Sequence, residues 1–191
     1  MSTLVIVLRV ISVAAFAAPM LLGDPVRCAE SVAQAHRTAR DRMPLAANLA
    51  AFVLFLGALL IFSGRSQGHA ALHLALAGCL VTLSGAVLVL RSRAELGSAW
   101  SLLPKAHTDT GLITTGPYRH VRHPIYLGLT VLAIGNALAF GSWAALLVVS
   151  CGIVPTFVWR ARREEIYLSR TFGEGFAVYR QRTRMIIPYL L

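Results

Sequence analysis

Gly116-Pro117-Tyr118-Arg119-His120-Val121-Arg122-His123-Pro124-Ile125-Tyr126-Leu127-Gly128 sets two arginines, two histidines and two tyrosines against an apolar run that begins at Ile125. Pro124 suits the first turn of a helix, where its missing N–H costs little. His123 then falls at or near the cap. The free N–H groups and the positive end of the helix dipole point back toward Arg119 and Arg122, a setting that favours a carboxylate or another anion. A membrane-spanning helix starting here places the cationic cluster at the bilayer surface. A lipophilic molecule with an anionic head would meet both of its preferred environments at that point.

Composition agrees with a membrane setting. The 191 residues are 57% hydrophobic and only 14% charged, where a soluble domain carries roughly 25% charged side chains. The chain reads as an all-α integral membrane protein. Its 18 Lys and Arg against 8 Asp and Glu give a net charge of +10. With no basic helix and no aromatic platform, this charge argues for basic loops on the anionic cytoplasmic leaflet and against nucleic acid. Cys28, Cys79 and Cys151 form no CxxC pair. Cys79 and Cys151 lie in apolar runs and are expected to be small buried side chains.

Five spans are predicted. Residues 4–22 are the first, with Arg9 near its start snorkelling to the interface. The rival is a signal peptide, given the small residues around Ala15-Phe16-Ala17-Ala18. Residues 23–43 are polar and suit a surface helix. Pro44 opens a second span over 45–63, and a third runs from His69 to Leu90. Residues 91–123 form a long connection, with a small hairpin expected around Thr108–Gly116; such loops are usually functional. The fourth span is Ile125 to Phe140. Gly141-Ser142-Trp143 is a tight turn, so the fifth span, Ala144 to Trp159, returns antiparallel. Pro155 is expected to kink it near its end. The rest, to Leu191, reads as a surface helix with a docked apolar face. Residues 1–90 thus form an N-terminal three-span region, and 91–191 the region that carries the chemistry.

Basic residues fix the orientation. Arg27, Arg37, Arg40 and Arg42 follow the first span, and Arg65 alone follows the second. Arg91, Arg93, Lys105, Arg119 and Arg122 follow the third, none lies in the fourth turn, and seven arginines lie in 160–184. Alternation of this kind requires an outside N-terminus. The His123 cluster and Glu164-Glu165 therefore share the cytoplasmic side, and the fold-back of the last two spans brings them close together.

Several constellations carry chemistry. Arg119, Arg122 and His123 against Glu164 and Glu165 form either interfacial ion pairs or a ligand site. Tyr118, Tyr126 and the long preceding loop favour the site. His120 and His123 with a glutamate could hold a metal, but Pro124 separates cap from helix body, and no metal is assigned. His69 and His73 share a face on the opposite side, with no third ligand. Asn136 is expected to bond a neighbouring helix. Trp100, Trp143, Trp159 and Tyr189 fit interfacial anchors. Glycine-rich nucleotide motifs and the G-x-S-x-G elbow are absent.

The segments Thr110-Gly111-Leu112-Ile113-Thr114-Thr115-Gly116-Pro117-Tyr118, Arg122-His123-Pro124-Ile125-Tyr126-Leu127-Gly128, Glu164-Glu165-Ile166 and Phe172-Gly173-Glu174, followed by Tyr179 and Pro188, resemble the isoprenylcysteine carboxyl methyltransferase family, which is related to the membrane phospholipid methyltransferases. The resemblance covers residues from about 97 to the end. It implies a membrane enzyme that uses S-adenosylmethionine on the cytosolic side. His123, Pro124 and Tyr126 would line the cofactor site. Glu164 and Glu165 would hold its polar groups or order the nearby arginine, and Tyr118 with residues 112–116, Leu112 and Gly116 included, would close over it. Gly175 and Phe176 depart from the family pattern, where Glu and Tyr are common.

Methyl transfer from a sulfonium to a carboxylate needs no base, only alignment and exclusion of water. Arg122 or Arg119 is the candidate for holding the acceptor carboxylate; with a thiol or amine acceptor, Glu165 or its neighbour becomes a base candidate. The acceptor's apolar end, prenylated or otherwise lipophilic, is expected to enter between spans from the bilayer. The rival readings are a nicotinamide-dependent membrane reductase of the sterol-reductase kind and a non-catalytic protein whose cluster only contacts lipid headgroups.

Overall fold

The computed structural model describes residues 2–21, 39–63, 69–97 and 111–186. Apart from one isolated parallel bridge, the regular structure of these residues is helical. The helices are α1 (Ser2–Leu21), α2 (Ala39–Ile61), α3 (His69–Leu96), α4 (Pro124–Ala139), α5 (Trp143–Val148) and α6 (Val154–Arg182). A π turn, Val149–Ile153, joins the last two, and a 3-10 turn, Gly116–Arg119, precedes α4. Among the described residues three stretches are long and apolar enough to cross a membrane: Met43–Ile61, His69–Leu96 and Trp143–Arg182. Two shorter apolar stretches, Thr3–Ala18 and Pro124–Ala139, pack beside them. Leu60, Ile61, Leu80, Val53 and Trp143 face outward, as an integral membrane protein's lipid-facing side chains do.

α4 lies against α3 through small residues on both helices. A Cβ built on Gly85 would fall 2.7 Å from the Leu132 nitrogen and 2.8 Å from the Gly128 oxygen. One built on Gly128 would fall 2.6 Å from Val89 Cγ2, and one on Gly78 2.6 Å from the Gly135 oxygen. Each helix contributes two glycines seven residues apart, so the backbones approach more closely than any larger residue would allow. α1 seals this pair with uncharged polar groups. Ser12 Oγ donates to Asn136 Oδ1 (3.2 Å) and lies 3.1 Å from Thr82 Oγ1. The expected interhelical role of Asn136 is thus found.

On the other side α2 packs on α5, the π turn and α6 around Phe55, Ala133, Ile153 and Phe157. The rings of Phe16, Phe52 and Phe157 step across the bundle at 6.1 and 6.0 Å and end at Tyr126, 4.9 Å from Phe157. Between α4 and α5 the chain turns at Gly141, whose φ of +62° favours glycine. Ser142 Oγ accepts from Ala145 N–H as the cap of α5.

Three sequence expectations need correction, and two more take a definite form. Arg9 does not snorkel outward: its Nε donates to Ala139 O at 3.1 Å and its guanidinium lies over Phe140, so it caps the C-terminus of α4. α2 begins ahead of Pro44, which lies inside the helix. Pro155 lies in the first turn of α6, directly after the π turn. Cys151 is exposed, unlike buried Cys79, because an apolar run in a membrane protein has a lipid face as well as a core face. The tail helix follows on from the fifth stretch: α6 continues past Trp159, breaks at Gly173, whose φ of +51° and ψ of −120° are non-helical, and a second helical segment runs on to Arg182 with Phe176 and Tyr179 buried. Residues 23–38, the sequence around Thr108, Trp100 and Tyr189 lie outside the described residues; 111–115, the end of the expected hairpin, are irregular.

Candidate active site

The site is framed by backbone pairing between two segments distant in sequence. After the 3-10 turn, residues 120–123 run beside residues 184–185. Arg122 N–H donates to Arg184 O (2.7 Å), His123 N–H to Met185 O (2.9 Å), and Arg184 N–H to His120 O (3.3 Å). The end of α6 and the strap that follows therefore fold across the approach to α4. Phe176 and Tyr179 are buried there, and the Tyr179 hydroxyl donates to the Tyr118 carbonyl at 2.7 Å. The opposite edge is held by the end of α3, where Glu95 Oε2 accepts from Thr115 Oγ1 at 2.9 Å.

Pro124 is the first residue of α4 and His123 its N-cap, as the local sequence predicts. The imidazole does not cap the helix. It faces α6, stacked at 5.6 Å on Tyr126, one turn along the same helix. Its Nδ1 lies 3.3 Å from Glu164 Oε2, and the Tyr126 hydroxyl donates to the same glutamate. Its Nε2 lies 3.7 Å from Glu165 Oε1, too far for a hydrogen bond, and has no hydrogen-bond partner among the described residues although the side chain is 6% exposed.

Arg122 is 7% exposed on its side chain and bonds Glu165 through Nε at 2.6 Å. Its Nη1 donates to the carbonyls of Thr183 and Arg180. The guanidinium thus joins α6 to its own C-terminal strap. Burial disfavours a charged His123, but the carboxylates of Glu164 and Glu165 outweigh burial and its pKa is raised. Burial, with Glu164 adding to it, pushes the Tyr118 phenol well above its ordinary value.

Of the residues singled out from the sequence, Arg122, His123, Pro124, Tyr126, Glu164 and Glu165 come together, with Tyr118 buried beside them. Arg119 is exposed at the end of the 3-10 turn, Gly116 is exposed at its start with φ +56°, and Leu112 is half-buried in the stretch before it. His120 is exposed, and no group of three metal-ligating side chains forms among the described residues. Arg160, Phe157, Tyr179 and Thr183 also belong to the cluster, and sequence reading passed over them as site residues. Arg160 holds its Cζ 5.6 Å above the Tyr126 ring. Its spacing was a usable signal, since Phe157, Arg160 and Glu164 recur three and four residues apart on one helix face. Thr183 acts through a backbone carbonyl, which no side-chain pattern announces.

A family model described as phospholipid methyltransferase matches residues 74–175, more than half of the chain and all of α4 and α5. The chain belongs to the phospholipid methyltransferase family. Other members and neighbours sharpen the likeness. The protein-S-isoprenylcysteine O-methyltransferase of Schizosaccharomyces pombe is 33% identical over 105 residues, which cover 53% of this chain and 44% of that protein. The Saccharomyces cerevisiae protein of the same name is 30% identical over 115 residues, 59% of this chain and 48% of that one. The chain spans about half the length of these curated relatives. A solved eukaryotic intramembrane Ras methyltransferase, isoprenylcysteine carboxyl methyltransferase, shares the fold with a TM-score of 0.53 at 22% identity, covering 81% of this chain and 55% of that one. The resemblance drawn from the R-H-P-x-Y-x-G element and the glutamate pair is thus borne out at the level of family.

Proposed function

We propose that this phospholipid methyltransferase family member transfers a methyl group from S-adenosylmethionine to the carboxylate of a lipophilic acceptor, an isoprenylcysteine or a similar isoprenoid thioether acid. In this reading the five apolar stretches all cross the bilayer. Residues 91–191 carry the chemistry, and the site opens to the cytoplasm. The observation that carries the proposal is the convergence of His123, Tyr126, Glu164 and Glu165, framed by the strap.

The residues suit the cofactor. Two carboxylates match a cationic sulfonium and an ammonium group. Tyr126 and His123 give flat faces for a base, and the buried Nε2 of His123 lacks a partner that a polar ligand atom would supply. Bound S-adenosylmethionine supplies an electrophilic methyl group. The protein's part is to align and to exclude water. Glu164 is oriented by Tyr126 and His123, and Glu165 by Arg122. In this role Arg122 positions an acid rather than the acceptor, since its donors serve Glu165 and the strap. Gly116, Leu112 and Tyr118 form the edge nearest the long loop.

The acceptor's hydrocarbon tail has a place to lie. A groove of about 430 Å³ runs between α2 and the π-turn region, lined by Ala47, Ala50, Leu54, Gly152, Thr156 and Trp159. The small side chains of α2 and the widened π turn create it, and its walls are almost wholly apolar. The named relatives act on isoprenylcysteine, whose tail such a groove would accept.

The test uses purified protein in lipid nanodiscs with labelled S-adenosylmethionine and a panel of lipophilic acids, thiols and amines. Labelled, base-labile methyl ester from the acids is the expected outcome. Label in the thiols or amines alone would replace the carboxylate reading, and failure to bind S-adenosylhomocysteine would end it.

A further inference from the structure

Along the last apolar stretch every fourth residue is exposed: Trp143, Leu147, Cys151, Pro155 and Trp159. In an integral membrane protein this line is a lipid-facing edge. It does not stop where the apolar stretch stops. Arg162, Ile166 and Arg170 follow Trp159 at steps of three, four and four residues, which keeps them on one face of α6, and all three are exposed. We propose that this face of α6 beds into the headgroup layer and binds anionic phospholipids, with Ile166 inserted and Arg162 and Arg170 each on a lipid phosphate. The proposal rests on the membrane setting and not on methyl transfer, so either can fail without the other.

Three observations support it. First, the face alternates in character. Trp159 is 40% exposed and Ile166 48%, with the two arginines between and beyond them. Water leaves the tryptophan and isoleucine uncovered, and hydrocarbon leaves the arginines unpaired. The boundary layer serves both kinds of side chain. Second, the charge on this face has one sign. The acids between residues 159 and 172 are Glu164 and Glu165, and both turn inward, to His123 and Arg122. Arg162 and Arg170 make no hydrogen bond or ion pair with another described residue. Their donors are open to phosphate oxygens. Third, the lengths agree. Ile166 lies seven residues past Trp159, about 10 Å along the helix axis. One headgroup layer is roughly 5–7 Å thick, so a leaning helix keeps Ile166 at the membrane.

Arg162 and Arg170 are eight residues apart, about 12 Å along the axis, too far to share one phosphate. The site is therefore a strip of membrane surface, not a pocket for a single headgroup. Ala161 and Glu165 are buried on the other side of the same turns. Lipid that holds the outer face thereby fixes the height of the glutamate pair relative to the bilayer.

The experiment reads depth. In a Cys28→Ser, Cys151→Ser background, a nitroxide is attached to Ile166→Cys or, as the water-facing control, to Gln181→Cys. Collision with dissolved oxygen relative to a water-soluble nickel chelate is measured in nanodiscs of phosphatidylcholine alone and of equal parts phosphatidylcholine and phosphatidylglycerol. In the mixed lipid the ratio at 166 is expected to exceed that at 181 several-fold. It is expected to fall by half or more in pure phosphatidylcholine, in high salt, and with Arg162→Gln and Arg170→Gln together. The lipid comparison needs no arginine variant, so a variant that fails to fold leaves the test intact. A ratio at 166 no higher than at 181, or one indifferent to lipid charge, overturns the proposal. So does a ratio restored in pure phosphatidylcholine by inorganic phosphate, which would make the arginines a site for the free anion. Spin–spin broadening between labels at 166 overturns it as well, by giving the face to a second copy of the chain.

Discussion

His123 sits between two acids, and its proton links pH to stability. Its folded pKa is raised above the unfolded value, so the stabilisation is complete below the unfolded value, roughly 6.5, and is lost as pH rises through the folded one. Glu164 and Glu165 are ionised in folded and unfolded chains alike near neutrality and do not mask the effect. The melting temperature in detergent is expected to fall as pH is raised from about 6 to 8, and His123→Gln to flatten that slope. Identical slopes for the two proteins would refute the link. Glu165 makes a second test. Arg122 and Glu165 are both nearly buried, and breaking such a pair from one side leaves an uncompensated charge. Glu165→Gln is expected to cost about 3 kcal/mol in unfolding free energy, measured by denaturant titration.

At the scale of elements, the contact between α3 and α4 leaves no room for a methyl group. Gly85→Ala or Gly128→Ala must push backbone or Val89 aside, at a cost of about 1–3 kcal/mol. Gly57→Ala in α2, where the added carbon would meet nothing within 4 Å, is the control. It is expected to be neutral or to gain up to about 1 kcal/mol from helix propensity. Equal melting temperatures for the Gly85 and Gly57 variants would show that the helices are not so tightly apposed. Gly173 acts differently. Its backbone lies where side-chain-bearing residues are strained, so Gly173→Ala should tilt the last turns of α6 away from the site. A several-fold loss of S-adenosylhomocysteine affinity with most of the melting temperature kept is the expected reading.

The same scale shows what could be read in advance. The three-residue connection Gly141-Ser142-Trp143 dictated a hairpin, and alternate basic loops put its ends on one side. From these alone Arg122 and His123 could be paired with Glu164 and Glu165. The strap could not be foreseen, because residues 183–186 reach 120–123 through backbone groups that every sequence possesses. Arg9 and Cys151 were misplaced for a related reason. Hydropathy separates membrane from water but not lipid face from helix–helix face, so a residue's partner inside the bilayer stays hidden until the helices are packed.

For the whole molecule, the proposed topology has a direct test. With the exposed Cys151 replaced by serine, a cysteine at Trp143 should react with an impermeant maleimide added outside intact cells. One at Gln181 should react only after permeabilisation. Reversed labelling would invert the orientation inferred from the arginines and place the glutamate pair outside.

Ser12 finds Asn136 after 124 intervening steps of sequence, and Arg9 finds the Ala139 carbonyl after 130. Ribosomal synthesis proceeds from the N-terminus, so α1 exists long before either partner has been made. On the proposed five-span topology its entry into the bilayer and its final seating are separate events in time, and the second awaits translation of α4.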